Sequence, residues 1–242
     1  GQDRGGCEGA PISAMILLAI DTAANLCAAC VYDGATGREL GREVLDIGKG
    51  HAERLIGVID SALGRAGIVY KGLDRIGVAI GPGSFTGVRV GVATARGLAL
   101  ALGIPAVGVN TLEALAAEAH ADFPDRPILA AIDGRRGDLY CAVHAPDGVV
   151  LSEPAAISVV EAVALARRHD AAVAGNGAEA VLAEAGEKRP PDPGLRGATA
   201  DIGFYARLAA ASGATNEKPK PLYLRGADAK PQSGFALARA GS

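Results

Sequence analysis

The spacing of apolar residues predicts strands at the start of the chain and a helix after them. Apolar runs from Ile16 to Asp21 and from Leu26 to Tyr32 predict two strands, and Arg38 to Leu45 predicts a third. Short turn sequences separate the three runs, so we expect an antiparallel meander. From His51 to Ala66 the apolar residues recur at helical spacing, which predicts an amphipathic helix.

The next stretch has the order of an α/β unit. Ile76 to Ile80 predicts a buried strand, which the turn Gly81-Pro82-Gly83-Ser84 ends. Ser84 is placed to cap a helix from Phe85 to Leu102, and Pro105 to Val109 predicts another buried strand. Strand, turn, helix and strand in this order are typical of an α/β domain.

The helix from Phe85 to Leu102 has a ridge of small residues formed by Gly87, Gly91 and Ala95. Such ridges occur where membrane helices meet. The arginines at 89 and 96 and the neighbouring strands favour a buried helix of a soluble protein instead, and no apolar run reaches the ~20 residues of a membrane span. We therefore expect a cytoplasmic protein without a membrane partner.

The second half of the chain repeats the order of the first. Asp133 ends an apolar run as Asp21 does, and Gly175-Asn176-Gly177 echoes the Gly81 turn, which indicates an internal duplication. The spacing also predicts a helix from Thr111 to His120, capped by Thr111. Further strands are predicted at 128–132, 138–144, 149–153 and 171–174, and further helices at 158–168, 178–185 and 201–212.

These patterns predict two lobes. We expect an N-terminal lobe over residues 15–122 and a degenerate C-terminal lobe over 123–225, with the Pro-containing stretch at 123–127 as the junction. Residues 1–14 lack periodicity and are expected to be a disordered extension or a remnant of cloning, and 226–242 form a tail.

The composition argues against some classes of function. The net charge is −3 and aromatic residues make up 4% of the chain, with no Trp, so we expect neither RNA binding by this chain alone nor a platform on which bases stack. The four cysteines indicate no disulfide framework. Cys27 and Cys30 have metal-ligand spacing, but alternation along a strand places them on opposite faces, which favours a structural role.

One stretch has the position of a phosphate site. The loop with Gly81, Gly83 and Ser84 precedes a helix N-terminus, where free N–H groups favour anions, although it matches neither the Walker nor the dinucleotide pattern. Asp21 and Thr22 end the first strand, where a carboxylate can position a metal or an attacking group. A tight turn explains these residues equally well, as it does Asp133.

Searches for metal and nucleophile motifs find nothing. The four histidines include no pair at helical metal-ligand spacing, and no Gly-x-Ser-x-Gly surrounds Ser84. We therefore predict no catalytic residue and no metal site.

The sequence resembles the TsaB (YeaZ) family over roughly Met15 to Pro231. The motifs that carry the resemblance are Ile80-Gly-Pro-Gly-Ser-Phe-Thr-Gly-Val-Arg-Val-Gly91, Ile20-Asp-Thr-Ala23, His51-Ala-Glu-Arg-Leu55, Ala131-Ile-Asp-Gly-Arg-Arg-Gly-Asp-Leu-Tyr140 and Pro221-Leu-Tyr-Leu-Arg225. The resemblance implies an α/β fold of the duplicated ribonuclease-H-like type (actin-like ATPase, or ASKHA), with two lobes of mixed sheets flanked by helices.

The resemblance also implies a function. Proteins of this family take part in making N6-threonylcarbamoyladenosine beside the anticodon of tRNAs that read ANN codons. They resemble a degenerate paralogue of TsaD, the subunit that transfers the threonylcarbamoyl group. The implied role is a non-catalytic pseudoenzyme that binds TsaD as a heterodimer, is joined by the ATPase TsaE, contacts tRNA only through the complex and forms a homodimer when alone. No cofactor is implied for this chain, although ATP or ADP can bind in the assembled complex.

The implied partner surface lies on the two helices at 51–66 and 84–102. The residues expected there are His51, Arg54, Leu55, Val58, Ile59, Ala62, Val88, Val92 and Arg96. The competing hypothesis is a small ATP-dependent phosphotransferase that uses Asp21 and the Gly81 loop.

Overall fold

The computed structural model describes residues 15–135, 137–213 and 217–224. Its first sheet has the order β3-β2-β1-β4-β5. The strands are β1 (Ile16–Asp21), β2 (Leu26–Asp33), β3 (Arg38–Asp46), β4 (Arg75–Ala79) and β5 (Ala106–Val109). The first three are antiparallel, as the hairpin pattern predicts, whereas β4 lies parallel to β1 and β5 parallel to β4.

The second sheet repeats this arrangement with one strand fewer. Its order is β8-β7-β6-β9, from β6 (Ile128–Asp133), β7 (Asp138–His144), β8 (Val150–Ser158) and β9 (Ala172–Ala174). Again three strands are antiparallel and the fourth is parallel to the first. In place of a fifth strand, the carbonyls of Pro191 and Leu195 accept hydrogen bonds from Val173 and Gly175. This repeat confirms the predicted duplicated fold.

Six α-helices accompany the sheets in the described part of the chain. They are α1 (His51–Ala66), α2 (Phe85–Leu102), α3 (Thr111–Ala119), α4 (Val159–His169), α5 (Ala178–Ala185) and α6 (Ile202–Ala211). Helix α1 packs on β2 and β3, and α2 packs on β4. Helices α3 and α6 contact each other between the sheets, while α4 and α5 cover the second sheet.

Alternation along the strands divides the core into two parts. In β6, Ile128, Ala130 and Ile132 belong to the large core shared with α3 and α6, whereas Leu129 and Ala131 belong to a smaller core with α4 and α5. Successive side chains of a strand point to opposite faces, so one strand serves both. Helix α6, which follows the second sheet in the chain, packs against β1 and β2 of the first. The boundary at 122/123 stays a prediction.

Some local predictions need correction. Thr111 is the first residue of α3 and not its cap, because Oδ1 of Asn110 accepts the hydrogen bond from Leu112 N–H at 2.8 Å. Strand β8 extends to Ser158, beyond the predicted end at 153, and a 3-10 helix at Tyr70–Gly72 was not predicted. The predicted extension at 1–14, Arg225 and the tail at 226–242 lie outside the described residues.

Two further expectations concern α2 and the cysteines. By length and mean hydropathy (18 residues, 1.2) α2 is apolar enough to cross a membrane, a test that core helices of soluble proteins also pass. The cytoplasmic location therefore stays a prediction. Cys27 and Cys30 are buried free thiols in β2, and burial raises their pKa values to about 11 and about 12.

Candidate functional site

The carboxylate of Asp21 lies at the end of β1, at the position where the sequence suggests a group that could hold a metal or an attacking group. It is 1% exposed. Its Oδ2 accepts a hydrogen bond from the Thr199 hydroxyl at 2.6 Å, and its Oδ1 accepts one from Ala23 N–H at 2.8 Å. The Thr199 hydroxyl also lies 2.7 Å from the hydroxyl of buried Tyr205. Both carboxylate oxygens therefore have partners within the chain.

The pKa of Asp21 reflects this enclosure. Burial raises the pKa to about 6, although the hydrogen bonds from Thr199 and Ala23 oppose the rise. A carboxylate that binds a metal needs access for the ion, whereas Asp21 is 1% exposed and each of its oxygens already accepts a hydrogen bond. Among the described residues, no group of three or more His, Cys, Asp or Glu side chains could hold a metal ion.

The glycine loop lies beside the segment that follows Asp21, and the N–H of Ser84 in this loop is engaged. Ser84 caps α2, as predicted, because its Oγ accepts from Gly87 N–H at 3.2 Å. The N–H of Ser84 itself donates to the Ala23 carbonyl at 2.6 Å. A phosphate bound here would have to displace that carbonyl.

Backbone contact explains why glycine is needed in this region. A Cβ atom at Gly83 would overlap the carbonyl oxygen of Ala23, and one at Gly87 would overlap that of Thr22. The Thr22 hydroxyl also donates to the Gly87 carbonyl at 2.7 Å. Segment 22–23 thus packs directly on the start of α2, in front of the glycine loop.

The equivalent place in the second lobe is open. A cavity of about 400 Å³ is lined there by Asp133, Asp138, Asn176 and Glu179, among others. Asp133 is exposed, and its backbone N–H donates to Asn176 Oδ1 at 2.9 Å. Three of these lining residues carry carboxyl groups. The corresponding places in the two lobes therefore differ: segment 22–23 fills the first, and the second is an open cavity.

The predicted partner residues lie mostly on the inner faces of α1 and α2. His51 is 7% exposed, with Nε2 at 3.1 Å from the Leu26 carbonyl oxygen, whereas Arg54 and Arg96 are exposed. The six apolar members, each at most 3% exposed, are Leu55, Val58, Ile59, Ala62, Val88 and Val92. Their placement on a partner surface is wrong, because the apolar stripe of each helix covers the chain's own sheet.

The outer faces of the same helices carry other apolar residues. Ile56 of α1 is 48% exposed and Leu100, near the end of α2, is 81% exposed. Small residues lie between them, including Gly57, Ala93 and Gly97, all of them exposed. We call this the outer face of α1 and α2.

A cluster at the start of α2 was missed by sequence reasoning. The Arg89 guanidinium carbon lies 3.7 Å from the Phe85 ring centroid, and Arg89 Nε donates to the Tyr223 hydroxyl at 2.9 Å. The Phe85 and Tyr223 rings are 5.5 Å apart. The spacing of Phe85 and Arg89 signals one helix face, but no sequence pattern links either to Tyr223, 134 residues after Arg89.

The two repeated mixed sheets with their flanking helices define a duplicated α/β protein, and comparison with known proteins gives its family. Residues 46–215 match the family model of TsaD, tRNA N6-adenosine threonylcarbamoyltransferase. The chain belongs to this family, and its similarities place it with the TsaB (YeaZ) proteins.

Individual relatives agree with this placement. The tRNA threonylcarbamoyladenosine biosynthesis protein TsaB of Escherichia coli is 34% identical over 133 residues, or 55% of this chain and 56% of that protein. The chain thus spans about half the length of this curated relative. An uncharacterized Mycobacterium bovis protein, Mb3455c, is 34% identical over 89% of this chain and 94% of its own length. YeaZ from Pseudomonas aeruginosa superposes with a TM-score of 0.72 at 27% identity, covering 87% of this chain and 100% of that one.

Proposed function

We propose that this chain is a non-catalytic subunit that binds and stabilises a TsaD protein during synthesis of N6-threonylcarbamoyladenosine in tRNAs that read ANN codons. The names of its relatives support a role in this pathway. The observation that carries the proposal is the pair of features on the first lobe: a cleft closed by the chain's own residues, and an apolar helix surface without a partner in the described chain.

The closed cleft supports the pseudoenzyme role. The Thr199 hydroxyl and the Ala23 N–H donate hydrogen bonds to the Asp21 carboxylate. The N–H of Ser84 donates to the Ala23 carbonyl. The competing phosphotransferase would need both groups free for metal and phosphate. We therefore propose that the chain requires no cofactor of its own and that ATP or ADP, where bound, is held by the assembled complex.

The outer face of α1 and α2 is the proposed contact surface. It places Ile56 and Leu100 around small residues that permit close helix packing, which a helical partner with the same fold can match. The same surface serves a homodimer when TsaD is absent, and TsaE joins the complex of the two proteins. In this proposal the stable binding of tRNA requires the assembled complex.

Complex formation with purified TsaD tests the proposal. Leu100→Glu and Ile56→Glu place a charge on the outer face and should abolish co-elution with TsaD. Val160→Glu is the matched control, because Val160 is 63% exposed on α4 in the other lobe. Co-elution of all three variants with TsaD as for the wild type would refute the surface assignment.

A further inference from the structure

Phe85, Arg89 and Tyr223 form a rigid group on the surface, here called the aromatic cluster. The guanidinium lies over one ring and donates a hydrogen bond to the hydroxyl of the other. Both rings are still about half exposed, at 56% for Phe85 and 49% for Tyr223. Each ring thus keeps free surface in an orientation that the cluster itself fixes, so a ligand that stacks there costs little side-chain entropy.

The backbone around the cluster is also fixed. The N–H of Leu222 donates to the Ile80 carbonyl at 2.8 Å, which holds Tyr223 beside the glycine loop. Pro219, four residues before Tyr223, is buried. The cluster therefore joins two distant segments of the chain at a defined place.

Basic residues outnumber acidic ones on the two segments that form the cluster, although the whole chain carries −3. Arg89 and Arg96 are the charged residues of α2, which has no acidic one. In 217–224, Lys218 and Lys220 are exposed, and the single acid of that segment, Glu217, pairs with Lys220 at 3.2 Å. Proteins bind single-stranded nucleic acid by stacking its bases on exposed aromatic rings and by pairing its phosphates with basic side chains. The cluster and its neighbouring segment supply both kinds of group.

The exposed side of α2 thus has two different ends, of which only the Leu100 end belongs to the outer face of α1 and α2. Leu100 lies about 22 Å from Phe85 along the helix axis, given a rise of about 1.5 Å per residue. The Leu100 end of α2 is apolar with small residues, which suits a protein partner, whereas the Phe85 end is aromatic and cationic. We propose that the aromatic cluster stacks one or two unpaired bases of an RNA, with Lys218 and Arg96 facing its phosphates. The choice of RNA rests on the proposed function; the stacking site rests on the geometry.

The experiment uses the full chain carrying Phe85→Trp, because the natural sequence has no Trp and the new indole is a single fluorescent reporter. The probes are a single-stranded decamer of adenylate and a decamer with the same phosphates but abasic sugars. We expect saturable quenching by the first probe and at least about fivefold weaker binding of the second. Equal binding of both probes, or none up to about 1 mM, would overturn the proposal, because non-specific nucleic-acid binding is usually tighter than that.

Variants of the otherwise natural chain separate this site from the protein contact. Phe85→Ala and Tyr223→Ala should each weaken binding of labelled oligoadenylate by about fivefold or more, measured by fluorescence anisotropy. Leu100→Ala, exposed at the other end of α2, should leave it unchanged, and TsaD binding should survive both cluster substitutions. Unchanged RNA affinity in the cluster variants, or loss of TsaD binding instead, would overturn the stacking site. Failure of the wild type to bind TsaD would contradict the proposed function alone.

Discussion

The Thr199 hydroxyl donates a hydrogen bond to the carboxylate of Asp21 at 2.6 Å, across 178 residues of sequence. The contact ties the segment before α6 to the end of β1 and leaves the carboxylate 1% exposed. This carboxylate therefore links two distant segments of the chain. Its energetics can be measured by substitution and by pH.

Asp21 should make the protein less stable at neutral pH than in mild acid. Its pKa is about 6 in the folded protein and 3.8 as the unperturbed value, so the folded state binds more protons between these two pH values. The contribution of this group to the free energy of unfolding therefore falls as pH rises from about 4 to 6, by up to about 3 kcal/mol. Asp21→Asn should remove this dependence and raise the melting temperature at pH 7.5. A lower melting temperature for the variant at that pH would contradict the assignment.

Loss of the Thr199 hydroxyl should leave the buried Asp21 carboxylate short of a donor. We expect Thr199→Val to lower the free energy of unfolding at pH 7.5 by about 1–3 kcal/mol, measured by urea denaturation. Thr86→Val is the control, because Thr86 is exposed on α2. A loss of the same size in both variants would show that the hydrogen bond to Asp21 contributes nothing specific.

Two glycines of α2 should respond to alanine in opposite directions. Gly87→Ala places a Cβ atom against the Thr22 carbonyl and should destabilise the fold by about 1–3 kcal/mol. Gly97 has open space around its Cβ position, so Gly97→Ala should stabilise the isolated chain by about 0.5–1 kcal/mol through helix propensity. Thermal unfolding of both variants checks the contact that closes the cleft. Equal tolerance of alanine at 87 and 97 would mean that segment 22–23 does not pack on α2.

His144 should oppose Asp21 in the pH dependence. Burial, aided by the nearby positive charge of protonated His120, lowers the pKa of His144 from 6.5 to about 4. The unfolded chain then binds more protons between these pH values, so stability from this group is lost as pH falls from about 6.5 to 4. His144→Phe should therefore make the protein more resistant to unfolding at pH 5 relative to pH 7.5, compared with the wild type. Identical pH profiles for the two proteins would refute this effect.

Most of the fold could be predicted because its signals are local. The bounds of α1, α2 and α5 match the predicted ones, since glycine or a capping residue flanks an unbroken helical pattern. The repeat of Asp21 and Asp133 before turns was enough to predict two similar sheets. Strand β8 was predicted too short because its end is set by pairing with β7, which local sequence does not encode.

The candidate site was harder to predict because it depends on contacts between distant segments. Sequence placed Asp21 beside the Gly81 loop but could not show that Thr199 closes the cleft. Likewise, an apolar stripe identifies the residues of a helix that pack, without saying whether they pack inward or against a partner. Leu55 and Ile59 were therefore expected at the partner surface. They are buried, and the exposed residue beside them is Ile56.

The central claim is that this chain acts by binding TsaD, and the mass of the complex in solution tests it most directly. Size-exclusion chromatography with light scattering should give a dimer for the chain alone and a one-to-one heterodimer after addition of purified TsaD. We expect TsaD to replace the second copy of the chain, because both bind the outer face of α1 and α2. A monomer whose mass and elution do not change in the presence of TsaD would contradict the account.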